Sequence, residues 1–119
     1  MKYDLEQRTV QFSEKVIDLV KSVKINSVNK SIVNQLTRSA TSVGANYCEA
    51  NGASSKKDFK NKIYICKKES KETMYWLRLL AKTNPEKIEE IRILWKEIQE
   101  FTMIFSKIIS TIKNGKKKE

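Results

Sequence analysis

Histidine is absent from the 119 residues, proline occurs once, glycine three times and cysteine twice. Each scarcity excludes something. Without histidine there is no commonest general base and no Glu-x-x-His motif of the kind that builds di-iron bundles. The two thiols, Cys48 and Cys66, have neither close spacing nor further soft ligands, which excludes a zinc site and a Cys-His catalytic pair. Both fall where helical patterns place small semi-buried residues, so both are expected to fill the core. Few glycines and a single proline leave too few breakers for the turns of a many-stranded protein. No apolar run approaches the roughly 18 residues of a membrane-crossing helix, and the charged opening Asp4-Leu5-Glu6-Gln7-Arg8 lacks the pattern of a signal peptide. The expectation is a cytoplasmic protein with no membrane partner.

What remains is rich in Leu, Ile, Lys and Glu, and it is basic: 24 Lys and Arg against 14 Asp and Glu, a formal charge of +10. The surplus is concentrated. Residues 56–82 hold nine basic side chains against Asp58, Glu69 and Glu72, and the end of the chain adds Lys113, Lys116, Lys117 and Lys118 against Glu119. An acidic partner such as nucleic acid fits this placement. A solvated, charge-rich surface fits it too.

Hydrophobic spacing predicts an all-α fold, four helices packed as a nearly antiparallel bundle, as a single domain over residues 1–113 followed by a basic flexible tail at 114–119. Asp4, with Gln7 three residues on, reads as the N-cap of a first helix whose core stripe is Leu5, Thr9, Phe12, Val16, Leu19 and Val23. Tyr3, Val10 and Ile17 recur every seven residues on another flank, a surplus apolar stripe of the kind that marks a subunit contact. Lys24 to Asn29 reads as a loop. A second helix, starting near Asn29 or Lys30, turns Ile32, Val33, Leu36, Ala40, Val43, Tyr47 and Ala50 inward, and Gly44 in its interior implies close approach of a neighbour. Its opposite face carries Arg38, Ser42, Ala45 and Glu49, which suits either solvent or an interface. Gly52 ends that helix and Ser55 caps a third, with the heptad seam Phe59, Ile63, Cys66, Ser70, Thr73, Leu77 and Leu80. Asn84 and Pro85 open a fourth, with Ile88, Ile91, Trp95, Ile98, Thr102, Phe105, Ile109 and Ile112 as its stripe. Leu94, Phe101 and Ile108 widen that stripe, while Ile93, Met103 and Ile104 lie outside it and suggest packing across subunits.

The outer face of the third helix has the most informative charge pattern. At 100° per residue, Lys57, Lys60, Tyr64, Lys67, Lys68, Lys71, Tyr75, Arg78 and Lys82 share one face with no acid among them. Lysines and arginines neutralise phosphates and tyrosines stack on exposed bases, so the face is a candidate nucleic-acid surface. The plainer alternative is a solvated helix face. Glu69 and Glu72 lie on the flank of the seam. With no matching core acids or histidines elsewhere, a structural pairing is expected of them, for example Glu69 with Lys62. No catalytic residue, metal ligand or cofactor site is expected.

The run Arg38 to Tyr47, then Glu49-Ala50, Ser55, Phe59, Lys67, Glu69, Glu72-Thr73 and Trp76-Leu77, closely resembles small bacterial four-helix bundle proteins called 23S rRNA intervening-sequence proteins. The resemblance covers nearly the whole chain. It implies an up-down-up-down bundle that assembles as a ring-like homopentamer. It also implies one of several settings: an insertion within a ribosomal RNA gene, or the accessory role in diversity-generating retroelements, where a basic relative partners a reverse transcriptase and nucleic acid. The family offers no catalytic residues to carry over. Two functions remain open: a non-enzymatic, oligomeric RNA- or DNA-binding protein, or a structural adaptor whose ring holds a protein partner.

Overall fold

The computed structural model of the chain describes residues 4–118, with side chains to Gly115. Four helices follow one another: α1 (Leu5–Ser22), α2 (Lys30–Asn51), α3 (Lys56–Thr83) and α4 (Ile88–Lys118), the last preceded by one 3-10 turn at Pro85–Lys87. Among the described residues there is no strand. The starts follow local chemistry. The Asp4 carboxylate accepts from the Gln7 amide at 2.8 Å and the Ser55 hydroxyl from the Asp58 amide at 3.0 Å, so α1 and α3 begin on side-chain caps that satisfy otherwise orphaned amides.

The connections are short, so successive helices run antiparallel as neighbours. The result is the expected four-helix bundle, with contacts running α1 to α2, α2 to α3 and α3 to α4, and a lighter closing contact between α1 and α4. That closing contact includes Arg8, whose guanidinium lies 5.1 Å from the Phe101 ring centre and donates to Glu97 at 2.8 Å. The Glu97 hydrogen bond also holds the Arg8 pKa above its ordinary value.

The core combines Phe12, Val16 and Leu19 of α1, Leu36, Ala40 and Val43 of α2, Ile63, Cys66, Leu77 and Leu80 of α3, and Ile91, Leu94, Ile98, Phe101, Phe105 and Ile109 of α4. Phe12 and Phe101 meet edge to face at 5.6 Å, a geometry that adds about 0.5–1.5 kcal/mol beyond area burial. Gly44 lies where α2 packs tightly on α1: a Cβ there would lie 3.1 Å from the Thr9 hydroxyl oxygen and 3.2 Å from its Cβ. At the end where α1 leads into α2, buried Asn29 reaches across to Asn84, donating to its side-chain oxygen at 3.1 Å, and so ties two connections together.

Several expectations need correction. The α4 seam is centred on Leu94 and Phe101, both buried, whereas Trp95 and Thr102 are only half-buried. Cys48 is exposed and only Cys66 is in the core. Asn84 does not cap α4 with its side chain; it donates instead to Glu86 at 3.0 Å, which lowers the Glu86 pKa. The apolar period ends near Ile112, yet α4 is helical through Lys118.

Candidate nucleic-acid interface

Helix α3 has neighbours on two sides, α2 and α4, and buries Ile63, Cys66, Ser70, Thr73, Leu77 and Leu80 between them. Burying that stripe turns the opposite side outward. It aims the nine residues from Lys57 to Lys82 at solvent along about 37 Å of helix, at 1.5 Å per residue. Lys57, Lys68, Lys71, Arg78 and Lys82 are exposed, while Lys60 and Lys67 are half-buried. Among the described residues, none of these seven cations forms an ion pair with a carboxylate.

The two tyrosines differ. Tyr64 is 37% exposed, and its ring centre has the Lys60 ammonium at 5.9 Å and the Lys113 ammonium at 5.8 Å. Tyr75 is 56% exposed; it meets Trp76 at 4.9 Å in an edge arrangement, and among the described residues no cation lies over it. Lys113 was not part of the sequence-derived face. It belongs there because antiparallel α4 returns to the level where α3 begins and turns that side chain toward α3.

The carboxylates on the flank of α3 are occupied. Glu69, only 9% exposed, accepts from Arg38 Nη1 at 3.2 Å, and Arg38 Nη2 pairs with Glu72. Trp76 Nε1 donates to Glu72 at 3.0 Å, and Gln35 accepts from Arg38 Nε at 3.0 Å. The expected structural pairing therefore exists, but with Arg38 of α2 rather than with Lys62. Two turns of helix separate Lys62 from Glu69, and Lys62 instead reaches Glu49 of α2 at 2.7 Å, which raises the lysine's pKa. Two carboxylates held by one arginine and one indole are committed to joining α2 and α3.

The residues suggested for subunit contact divide in the same way. Arg38 and Glu49 are engaged within the chain, and Ser42 accepts from the Asn46 amide nitrogen at 3.0 Å. Val10, Ile17, Ile93 and Met103 are exposed, Ile104 packs against the core edge, and Tyr3 lies outside the described residues. Of the thiols, burial pushes Cys66 up to about 12, while Cys48 sits at the surface where a hydrogen bond with Glu6 raises its pKa.

Fold and face together define an antiparallel four-helix bundle with a cationic outer strip on its third helix. A family model described as 23S rRNA-intervening sequence protein matches residues 1–107. A crystal structure from Bacteroides thetaiotaomicron VPI-5482, described as a protein with unknown function from the S23 ribosomal protein family, is 33% identical with a TM-score of 0.77, over 89% of this chain and 98% of that one. No curated protein matches. The chain belongs to the 23S rRNA-intervening sequence protein family. No helix among the described residues is long and apolar enough to cross a membrane.

Proposed function

We propose that the protein is a non-enzymatic, oligomeric nucleic-acid-binding protein that holds RNA or DNA backbone on the outer face of α3. The observation that carries this reading is the strip itself: seven cations and two tyrosines on one outer face, five of the cations exposed and two half-buried, with no carboxylate paired to any of the seven among the described residues. Phosphate contacts release counterions, so affinity falls with salt. If all seven cations engage, the slope of log affinity against log salt is about −5 for a single strand and about −6 for a duplex. Titration of labelled RNA and DNA by fluorescence anisotropy at several salt concentrations tests this. Charge reversal at Lys60, Lys67 and Lys71 should abolish the signal, and absence of binding at low salt refutes the reading.

A second reading, a structural adaptor that binds a protein partner, is favoured by the exposed apolar side chains Val10, Ile17, Ile93 and Met103. In the first reading the same residues serve subunit contacts, with a homopentamer as the proposed assembly. A monomeric mass by light scattering at micromolar concentration removes the oligomer from either account. The triple charge reversal separates the two: it leaves adaptor binding intact and removes nucleic-acid binding.

A further inference from the structure

The α3 face repeats. Lys57, Lys60, Tyr64, Lys67 and Lys71 are each followed eleven residues later by a chemical counterpart: Lys68, Lys71, Tyr75, Arg78 and Lys82. Lys71 closes the first set and belongs to the second. Eleven residues of α-helix make three turns plus about 20° and advance about 16.5 Å, so the two sets point in nearly the same direction. Both lie within the uninterrupted helix Lys56–Thr83. Solvation alone asks only for polar side chains; it does not ask for a tyrosine at the same place within each set.

We propose that α3 carries two tandem copies of one binding unit and that the ligand is a single strand of nucleic acid lying along the helix. This rests on the nucleic-acid reading above and deepens it. A ligand with a regular charge repeat can meet both units in the same register. An aromatic ring among the cations can stack only on a base whose face is free, and a duplex hides those faces. The units have diverged in one respect. Lys60 and Lys113 flank the Tyr64 ring, so the first unit concentrates positive charge; the more exposed Tyr75 is the ring left open for a base. At 3.4 Å per nucleotide for a stacked strand, the units repeat about every five nucleotides, one unit spans about six and the whole face about eleven.

The test uses the full chain with labelled oligo-U and oligo-dT of about four to twenty nucleotides, and a duplex of the longest length, at low salt. Affinity should climb with length to a plateau near eleven nucleotides, and the single strand should bind more tightly than the duplex. Substituting Lys57→Gln and Lys60→Gln together should move the plateau to about half that length and reduce the salt slope by about 1.4. Tyr75→Ala should weaken single-strand binding about 5- to 150-fold, with Tyr75→Phe retaining it and Tyr64→Ala having the smaller effect. All these positions are on the outer face, and circular dichroism checks that each variant is folded. Equal affinity for duplex and single strand, an unshifted plateau in the double glutamine variant, or an unaffected Tyr75→Ala variant would each overturn the tandem single-strand site while leaving the broader reading standing. No binding to any nucleic acid overturns both.

Discussion

Replacing Arg38 by alanine tests how α2 and α3 are joined. Arg38 is the cation for Glu69 and Glu72, and Glu69 is 9% exposed, so the substitution leaves a nearly buried carboxylate without its charge partner. Removing one member of a fully buried pair costs about 3–5 kcal/mol, while a fully exposed pair contributes about 0–1 kcal/mol. The Arg38 side chain is 47% exposed, which screens the interaction and places the expected loss between those limits, at about 2 kcal/mol. Glu72 suffers less, because Trp76 Nε1 still donates to it. Since an amide has no charge to desolvate, Glu69→Gln alone should cost about 1 kcal/mol, and adding it to Arg38→Ala should cost little further.

Urea unfolding followed by circular dichroism provides the numbers, with light scattering run alongside so that oligomer state is known for each variant. A coupling of about 1–2 kcal/mol in the double-mutant cycle is the expected result. A loss below about 0.5 kcal/mol with no coupling would refute the argument and class the cluster with ordinary surface ion pairs. If Arg38→Ala shifts the oligomer distribution and leaves the stability of the dissociated chain unchanged, Arg38 acts between subunits instead.

Gly44→Ala gains about 1 kcal/mol of helix propensity but drives a methyl against Thr9, whose Cβ cannot yield without moving α1; overpacking of about 1–3 kcal/mol leaves a net loss by thermal melting, and Gly44→Leu should prevent folding. Asn29→Ala removes a buried side chain that accepts from the Asn26 amide and donates to Lys24 and Asn84, so it should cost about 2–3 kcal/mol in the same assay. A maleimide should label one thiol of the native protein, exposed Cys48, faster as pH rises, and reach Cys66 only on unfolding. Cys66 also sets a pH dependence. Its folded pKa of about 12 lies above the unfolded value, so its contribution is fully present below about pH 8.5 and is lost as pH rises toward 12. The alkaline decline measured by denaturant titration should therefore be shallower in Cys66→Ala.

The faces of α1, α2 and α3 were legible because each has one dominant apolar stripe: Phe12-Val16-Leu19, Leu36-Ala40-Val43 and Ile63-Cys66-Ser70-Thr73-Leu77 leave a helix little choice of side. The caps at Asp4 and Ser55 were equally plain, since a short acceptor three residues before its target amide is a local signal. Helix α4 was harder. With isoleucines on several sides, periodicity admits more than one seam, and only packing against Phe12 selects Phe101 over Thr102. The pairings Arg38 to Glu69 and Lys62 to Glu49 were beyond reach for a different reason. A helical wheel shows which side is outward but not which neighbour stands beside each flank, and both pairs cross from α2 to α3 at a flank. Cys66 lies on the α3 seam and Cys48 off the α2 stripe, so periodicity separates core from surface here, and it was the general preference of cysteine for burial that misplaced Cys48. The cationic face was visible because it lies on one helix; Lys113 was not, because it arrives from another.

The same face should respond to salt in two opposite ways, and that opposition separates a binding surface from a merely soluble one. Lys57 with Lys60, Lys67 and Lys68 with Lys71, and Arg78 with Lys82 are like charges three or four residues apart, each such pair destabilising the helix by about 0.2–0.5 kcal/mol. Four pairs sum to about 1–2 kcal/mol of repulsion in the free protein, a sizeable fraction of ordinary domain stability. Salt screens exposed charges, so the free protein should become more stable as salt rises over the range in which nucleic-acid affinity falls. A bound strand removes the same repulsion directly, so at low salt it should raise the melting temperature, and at high salt that increment should vanish. If the cations served only solubility, added salt would stabilise the protein to the same degree, but a nucleic-acid strand would leave its melting temperature unmoved at every salt concentration.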